Sequence, residues 1–409
     1  MTATPHPAAA PFVPDSPQAW VRLGLAVLIG AIGSVGMWSV VVALPAVQND
    51  FGTTRAAASL AFTAVMLGFG VGGVFMGRLC DRYGIVTALG VGCVGTTLGY
   101  IWAGLSPTLW SFIAAHALIG AGASATFGPL MAEASHWFER RRGFAMTVAA
   151  SGNYLGGALW PPVVNAIITG FGWPSAHIAI GLASGIGMLI VLIVLWASIN
   201  GTARQVRNNA APLRVQLPMS ANTLTVLLCI AGVACCVAMA MPQVHIVAYC
   251  GDLGYGAARG AEMLSLMLGF GIVSRIGSGY LADKIGGLRT LLVSSLAQGA
   301  ALALFLMFDG LTSLYIISAL FGLFQGGIVP SYAIIVRESM PAHEAATRVG
   351  IVVFATVIGM SLGGWLSGVI FDATGSYTAA FVNGLGWNLL NLTIALGLLW
   401  RVRARPALA

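Results

Sequence analysis

Charged side chains are scarce in this sequence of 409 residues. Asp, Glu, Lys and Arg together make up 8% of it, whereas hydrophobic residues make up 58%. A water-soluble domain has about a quarter of its residues charged, so this composition excludes a water-soluble enzyme. The same apolar excess excludes an intrinsically disordered chain, because disordered chains are poor in hydrophobic residues.

Motifs for metal, nucleotide or catalytic chemistry are lacking as well. The six cysteines have neither the spacing of metal ligands nor an obvious disulfide framework, and we interpret them as small packing residues. No G-x-x-x-x-G-K-[ST] loop for ATP occurs, and no His/Asp or Ser/Lys pairs cluster deep in the apolar segments. The sequence therefore indicates no metal or cofactor and no enzyme.

What the sequence does contain is a series of continuous apolar segments of the length that crosses a bilayer as a helix. Barrel strands are shorter and alternate in polarity, so the segments predict an all-α membrane protein. Twelve such helices are predicted, at residues 23–47, 57–79, 85–105, 109–133, 143–168, 174–199, 222–249, 258–282, 288–308, 312–338, 345–371 and 377–400.

The longest polar connection divides the twelve spans into two groups of six. We expect a linker over residues 200–221 between a first half at 21–199 and a second half at 222–400. Residues 1–20, rich in Pro and Ala, are predicted to be a disordered tail without a cleaved signal. Residues 401–409 are predicted to be a basic C-terminal tail.

The basic residues predict the orientation, since Lys and Arg in short loops are held on the cytoplasmic side. With the N-terminus inside, 16 of the 19 Lys and Arg residues fall on that side. Arg55 and Arg259 fall outside, and Arg275 falls within a span. Both termini, and the linker, are therefore predicted to be cytoplasmic. The net charge of +7 reflects this asymmetry rather than nucleic-acid binding.

An eight-residue motif occurs after the second span and again after the eighth. Both copies read G-x-x-x-D-[RK]-x-G and lie 202 residues apart, at Gly77, Asp81, Arg82 and Gly84 and at Gly279, Asp283, Lys284 and Gly286. A second set of glycines, Gly143, Gly156 and Gly157, recurs 207 residues later at Gly350, Gly363 and Gly364. The chain is therefore interpreted as a duplicated six-helix unit.

The paired loops in a twelve-span chain resemble those of the major facilitator superfamily, over about residues 20–400. The resemblance implies two six-helix bundles, built from inverted repeats, with substrate bound near the midplane and exposed alternately to each side. It also implies that Asp81, Arg82, Asp283 and Lys284 hold the cytoplasmic faces of the two halves together in one state. The alternative is that these loops only cap helices.

Arg275 is the one basic residue deep in a span, eight residues before Asp283. A charge at this depth costs roughly 2.5 to 3.5 kcal/mol on insertion scales and marks a candidate site. Gly271, Ser278 and Gly279 lie one turn away and are expected to leave room for a ligand. We interpret Arg275 as an anchor for an anion, because a guanidinium matches a carboxylate with two hydrogen bonds. The alternative is a permanent pair with a buried acid.

The pattern Arg275, Gly279, Asp283 resembles the eighth helix of the monocarboxylate and oxalate/formate-type carriers of the superfamily. The stretch 136–145 is similar to their loop between helices 4 and 5. Two departures matter: mammalian-type monocarboxylate carriers have an aspartate where this chain has Gly271, and oxalate carriers have a lysine in helix 11 that is missing here. A single positive charge suits a monoanion, and the second arginine of nitrate carriers is absent from helix 2.

Further substrate-binding candidates lie on helices that line the pathway in this superfamily, although glycine-rich faces of this kind are also typical of plain helix packing. They are Ser34 and Trp38 in helix 1, Asn153 and Tyr154 in helix 5, before Pro161 and Pro162, and Gln325 and Tyr332 in helix 10.

Three residues are candidates for proton coupling. His116 and His245 fall in the outer third of helices 4 and 7, and histidine changes charge near neutral pH. Each could instead be an interhelical hydrogen-bonding group. Glu133 lies at the cytoplasmic end of helix 4, near Arg140 to Arg142, where an ion-pair gate is the alternative.

We thus expect a monomeric secondary transporter in the cell (inner) membrane that moves a pyruvate- or lactate-like monocarboxylate, with a proton as the coupled ion. Exchange of formate- or oxalate-type anions and export of a drug-like or neutral solute are the alternatives. The missing exporter-type Gly-Pro pair in helix 5 argues against export. The expected partners are the small anion and the lipid bilayer.

Overall fold

The computed structural model describes residues 13–199, 219–340 and 342–403, and within these ranges the regular structure is helical. The helices of the first half are α1 Pro17–Gly33, α2 Val35–Asp50, α3 Arg55–Tyr83, α4 Ile85–Gly104, α5 Leu109–Ala123, α6 Gly128–Trp137 and α7 Arg142–Ile199. Those of the second half are α8 Ala221–Asp252, α9 Ala257–Ile285, α10 Gly287–Met307, α11 Leu311–Gln325, α12 Ile328–Ser339, α13 Ala342–Thr374 and α14 Tyr377–Arg403.

Eleven helical segments of the described chain are long and apolar enough to cross a membrane. Three of them consist of two consecutive helices, α1 with α2, α5 with α6, and α11 with α12. Each of these pairs breaks at small residues, at Ser34, Ser124–Thr126 and Gly326. The all-α membrane architecture predicted from composition is thereby confirmed.

The longest helix, α7, has 58 residues and contains one residue with a non-helical backbone, Gly172, at φ 77° and ψ 162°. This break lies between the predicted end of the fifth span at 168 and the predicted start of the sixth span at 174. Pro161 and Pro162 lie inside the helix and do not end it. Residues 142–171 and 173–199 are therefore two helices joined at Gly172. At 1.5 Å per residue they are about 45 and 40 Å long, so each is long enough to cross the ~30 Å hydrocarbon core of a bilayer.

The two copies of the motif have the same backbone geometry. Gly84 (φ 88°, ψ 166°) and Gly286 (φ 83°, ψ 160°) are each the single residue between two helices. Their N–H groups donate to Cys80 and Ala282 at 2.8 and 2.9 Å. This region of φ and ψ is accessible essentially to glycine alone, so the last glycine of the motif sets the turn.

The second set of repeated glycines packs in equivalent ways. A Cβ atom on Gly157 would lie 2.5 Å from Leu268 of α9, and one on Gly364 would lie 2.9 Å from Phe62 of α3. Gly157 also meets Trp38, and Gly364 meets Val244, which are on the first membrane-spanning segment of each half. The internal repeat is therefore present in the packing as well as in the sequence.

Three predicted boundaries differ from or fall outside the described structure. Helix α1 begins at Pro17, so the tail predicted to end at residue 20 ends earlier; Ser16 accepts from the Ala19 N–H, and a Ser-Pro pair is a strong helix start. Asp15 also binds the α6–α7 loop, accepting from the N–H groups of Glu139 and Arg140.

Helix α14 continues to Arg403, past the predicted start of the tail at 401. Residues 200–218 of the predicted linker lie outside the described residues.

Candidate functional site

Arg275 lies in the interface between the two halves. Its side chain is buried, its Nη1 donates to the carbonyl of Ala150 at 3.1 Å, and its Cζ lies 4.2 Å from the centre of the Tyr154 ring. Both partners belong to α7, whereas Arg275 belongs to α9. The guanidinium thus makes a cation–π contact across the interface.

No acidic side chain of the described residues forms an ion pair with Arg275, whose Nε is buried without a hydrogen-bond partner. The alternative of a permanent pair with a buried acid is therefore not what the described structure contains. A buried cation that has an aromatic face and one carbonyl as neighbours retains unused hydrogen-bonding capacity.

The space around Arg275 differs from the expectation. A Cβ atom on Gly271 would lie 2.8 Å from the Tyr154 ring, so the ring fills the room that this glycine leaves. On the other side of α9, Ser278 packs against Gly327. Of the three residues that were expected to leave room, Gly279 alone has no heavy atom within 4 Å of a Cβ position. The expected room is therefore restricted to the side of Arg275 that faces Asp283.

The contact between α7 and α9 ends at Arg275. Moving toward the motif, successive pairs in contact are Gly157 with Leu268, Tyr154 with Gly271, and Ala150 with Arg275. One turn further, Gly279 meets no heavy atom. The guanidinium therefore lies at the edge where the two halves separate.

Four of the other predicted substrate residues belong to α7 or pack against it. The Asn153 amide is 2.9 Å from the Met37 sulfur, and Ser34 donates to Ala31 and lines the surface on which Gly156 packs. Trp38 is buried with its indole Nε1 unpaired, next to Gly157. The fold thus brings Ser34, Trp38, Asn153 and Tyr154 into one seam of α1, α2 and α7 beside Arg275.

The two candidates of the tenth predicted span, residues 312–338, lie on either side of the break between α11 and α12. Gln325 is fully buried, and neither of its amide atoms has a hydrogen-bond partner among the described residues. The next residue, Gly326, packs on Gly271 and Ser274. Tyr332, in contrast, donates to Asn391 at 2.8 Å inside the second half and does not join the group around Arg275.

His116 and Glu133 each lie within the first half. The Nδ1 of His116 hydrogen-bonds to the Phe112 carbonyl at 2.8 Å, and its ring lies 5.5 Å from that of His177, a second buried histidine that the sequence analysis did not single out. Glu133 lies 3.7 Å from His136 and interacts electrostatically with Arg22. These contacts tie helices of one half together.

A polar cluster that the sequence analysis missed joins the two halves at the opposite end from the motif. We call the end of the helices that contains it the Arg55 end. Arg55, at the start of α3, forms a bidentate ion pair with Asp252 of α8, with an Nη2 to Oδ1 distance of 3.2 Å. It also donates to Gln48 and Tyr377 at 3.1 and 3.0 Å, and stacks over Phe371 at 4.1 Å.

Asp372, at the end of α13, adds to this cluster. Its two carboxylate oxygens accept from the backbone N–H groups of Arg55 and Ala56, at 3.0 and 2.7 Å. A carboxylate at a helix N-terminus is favoured because the first N–H groups lack partners and carry partial positive charge. An acid of the second half thereby caps a helix of the first.

The motif end, which contains the two G-x-x-x-D-[RK]-x-G loops, has no comparable connection in the described chain. Asp81, Arg82, Asp283 and Lys284 are exposed. The two cations lie over tyrosines of their own helices, Arg82 at 5.2 Å from Tyr83 and Lys284 at 4.4 Å from Tyr280. The role that the resemblance implies for these four residues is not exercised in this conformation.

One sequence signal could have identified the Arg55 cluster. Arg55 was one of two basic residues on the predicted outside, where such residues are few. Acids are also rare, with 12 in the whole chain, and four of them follow helix ends on the predicted outside: Asp50, Asp252, Asp309 and Asp372. Which of these acids meets which of the two basic residues depends on the fold.

Comparisons with known proteins agree with this architecture. A family model described as Major Facilitator Superfamily matches residues 26–313 and 278–409. Monocarboxylate transporter 13 of Rattus norvegicus is 26% identical over 366 residues, covering 87% of this chain and 82% of its own, and the Bos taurus protein of that name is 28% identical over 313 residues, covering 74% and 71%. The MFS-type transporter opdF of Penicillium oxalicum is 27% identical over 315 residues, covering 75% and 72%.

Proposed function

Because the chain belongs to the Major Facilitator Superfamily, a family of multi-pass membrane transporters rather than enzymes, we propose that it carries a small organic monocarboxylate of the lactate or pyruvate kind. Transport occurs by alternating access, in which the two halves open to one side of the bilayer and then to the other. The names of the mammalian relatives support this substrate class.

The observation that carries the proposal is the environment of Arg275. The guanidinium is buried near the middle of a membrane-spanning helix, between the two halves, without an acidic partner in the described chain. A charge in this setting is stabilised by an anion, and a carboxylate matches the fork of Arg with two hydrogen bonds. One such cation favours a monoanion over a dianion.

The proposed topology has twelve crossings. It follows if α7 is counted as two, since Gly172 has the backbone geometry of Gly84 and Gly286, which each join two consecutive crossings. With the basic loops inside, the motif end and both termini are cytoplasmic and the Arg55 end faces outward. We place the protein in the cell membrane as a monomer, with residues 21–199 and 222–400 as its two bundles.

The proposed coupling is symport with a proton. Glycine at position 271 removes the carboxylate that the resemblance would supply, so the proton must bind elsewhere in the molecule. Anion exchange, the rival mechanism, needs no proton and is therefore insensitive to an imposed pH gradient.

Arg275→Lys tests the proposed anchor, because lysine keeps the charge and loses the planar fork. We expect uptake of labelled lactate or pyruvate into proteoliposomes to fall by about tenfold or more, as one charged hydrogen bond is worth roughly 1.5 to 3 kcal/mol. The control is Arg259→Lys, at an exposed position, which should transport within about twofold of the wild type.

Uptake close to the wild-type rate in Arg275→Lys would reject the anchor. Loss in both variants, with both proteins monodisperse after purification, would show that the assay reports general damage. If the wild-type protein takes up none of a panel of mono- and dicarboxylates, the proposed substrate class is wrong.

A further inference from the structure

His245 lies directly beneath the Arg55 cluster and is fully buried. Its Nδ1 is 3.0 Å from the Tyr377 hydroxyl, and its Nε2 is 2.8 Å from the carbonyl of Gly364. The same hydroxyl lies 3.0 Å from Nη1 of Arg55. Four groups from four helices, α3, α8, α13 and α14, therefore form one chain of hydrogen bonds.

Chemistry fixes the direction of two of the three bonds in this chain. A guanidinium can only donate and a carbonyl can only accept. Arg55 therefore donates to Tyr377, and His245 donates from Nε2 to Gly364. In the remaining link, the Tyr377 hydroxyl donates to Nδ1 when the imidazole is neutral, and only then does the hydroxyl hydrogen have an acceptor within the chain. The closed chain is therefore most stable with His245 neutral.

The charged groups that act on the imidazole come from three helices. They are Arg55 of α3, Asp252 at the end of α8, and Asp372 of α13. Helix α14 contributes the Tyr377 hydroxyl, and within the described chain α2, α9 and α12, which also pack on α8, add no charge to this set. The two acids are already engaged by the side chain and backbone of Arg55.

We propose that His245 is the proton-binding site of the carrier and that a proton on its Nδ1 opens the Arg55 end. When Nδ1 takes up a proton, both ring nitrogens become donors. The Tyr377 oxygen then faces two donors, Arg55 and His245, and its own hydrogen loses its acceptor in the chain. Two positive charges also come to share one hydroxyl, which weakens the link that joins the two halves.

A route for this proton exists at the same place. The ion-paired side chains of Arg55 and Asp252 are 12% and 37% exposed, and one hydroxyl separates Arg55 from the imidazole. Tyr377 is itself buried, so a proton reaches Nδ1 when a transient opening of the partly exposed Arg55–Asp252 pair admits water. The proton that enters from the Arg55 end during such an opening then keeps that end open.

This inference rests on the proposed function in one respect, that the two ends open in alternation. It adds that the proton loads at His245 from the side of the Arg55 end. Since the closed chain contains neutral histidine, low pH favours the state open at that end and high pH favours the state described here.

The decisive measurement is the distance across the Arg55 end in the absence of substrate. Nitroxide labels at Asn49→Cys and Ser376→Cys, both exposed and in opposite halves, would be followed by pulsed dipolar spectroscopy in lipid nanodiscs, with Cys229→Ala as background. Between pH 8 and pH 5 we expect a longer-distance population to grow several-fold in the wild type.

His245→Gln keeps a donor and an acceptor but binds no proton, so its distances should be the same at both pH values. Tyr377→Phe, which deletes the central link, should give the long distance at both. His177→Gln is the matched control, because His177 is a buried histidine outside the chain, and it should retain the wild-type response. An unchanged wild-type distance, or a wild-type response in His245→Gln, overturns the proposal.

Transport separates this proposal from the substrate assignment. In proteoliposomes with an acidic exterior, His245→Gln should lose accumulation of lactate above equilibrium but keep exchange of labelled for unlabelled lactate. Normal accumulation by His245→Gln contradicts the proton site. If the wild type moves no monocarboxylate while its label distance still responds to pH, the substrate assignment fails and the proton site stands.

Discussion

The two ends of the molecule are held in different ways. At the Arg55 end, α3 and α13 are in contact from Ala56 with Gly368, through Phe62 with Gly364, to Gly70 with Phe354. Beyond that point, toward the motif end, Cβ atoms on Gly73, Gly77 and Gly350 would meet no heavy atom within 4 Å. The helices that touch at one end are therefore apart at the other.

The chemistry of the two ends explains why this arrangement can reverse. In the middle of the interface, glycines of one half pack closely against side chains of the other. At the Arg55 end, a few hydrogen bonds and an ion pair around one guanidinium are added. Shifting a two-state equilibrium from 1:99 to 99:1 takes about 5.5 kcal/mol. A handful of charge-assisted hydrogen bonds is of that size, so the closure can be released by changing one protonation state or one contact.

The internal repeat does not duplicate this closure. Arg259 is near the start of α9, as Arg55 is at the start of α3, but Arg259 pairs with Glu262 of its own helix at 3.1 Å. Its side chain is 53% exposed, against 12% for Arg55. The counterpart of Asp252 at the end of α2, Asp50, accepts from Trp173 instead. The two halves thus have equivalent helices, but of these two arginines it is Arg55, in the first half, that connects the halves.

Replacing Arg55 is the substitution expected to have the largest effect on the connection at the Arg55 end. Arg55→Ala removes the bidentate pair with Asp252 and the bonds to Gln48 and Tyr377, and leaves Asp252 unpaired. We expect the transport rate to fall by more than about tenfold, since breaking a buried pair costs 3 to 5 kcal/mol and this one is partly exposed. Uptake into proteoliposomes measures it.

Arg259→Ala is the matched control for that variant. Its pair lies within one helix and is exposed to solvent, so transport should stay within about twofold of the wild type. Equal effects of the two substitutions would mean that position at the start of a helix, rather than closure of the Arg55 end, determines the loss.

Accessibility of the motif end should give a smaller but clear difference. A thiol introduced by Gly350→Cys has open space around it, whereas the native Cys235 is fully buried. We expect the new thiol to react with a water-soluble maleimide several-fold faster than the native cysteines. A rate as slow as that of Cys235 would show that the two halves meet at this end too.

The smallest expected effects compare the two motif glycines. Gly84→Ala and Gly286→Ala each force a side chain into backbone geometry that glycine alone adopts, at a cost of roughly 1 to 3 kcal/mol. The expected cost does not come from steric clashes with neighbours, because a Cβ on Gly84 has no heavy atom within 4 Å and one on Gly286 has only Glu338, at 3.8 Å. Both variants should melt several degrees lower by a thermal unfolding assay. A loss at one glycine alone would show that the two turns are not equivalent in stability.

Much of the fold was predictable because it depends on local patterns. Apolar length predicted the helices, and the polar and glycine-containing breaks predicted most of their ends to within a few residues. Prolines were a poorer guide, since Pro161 and Pro162 lie inside α7. The Arg275 interface was predictable only in part: depth and charge identified the residue, but the Tyr154 ring that fills the space at Gly271 comes from a helix more than a hundred residues away. Tyr332 was grouped with the site by its helix and is instead bonded to Asn391.

Composition, run length and the repeated glycine motif by themselves determined that this chain is a duplicated helical membrane protein with a cation buried in its second half. Only the tertiary structure decided that Arg55, and not Arg259, joins the halves, and that His245 lies behind it. The physical reason is that a helix pattern specifies which residues share a face, whereas the partner across that face depends on how distant helices pack.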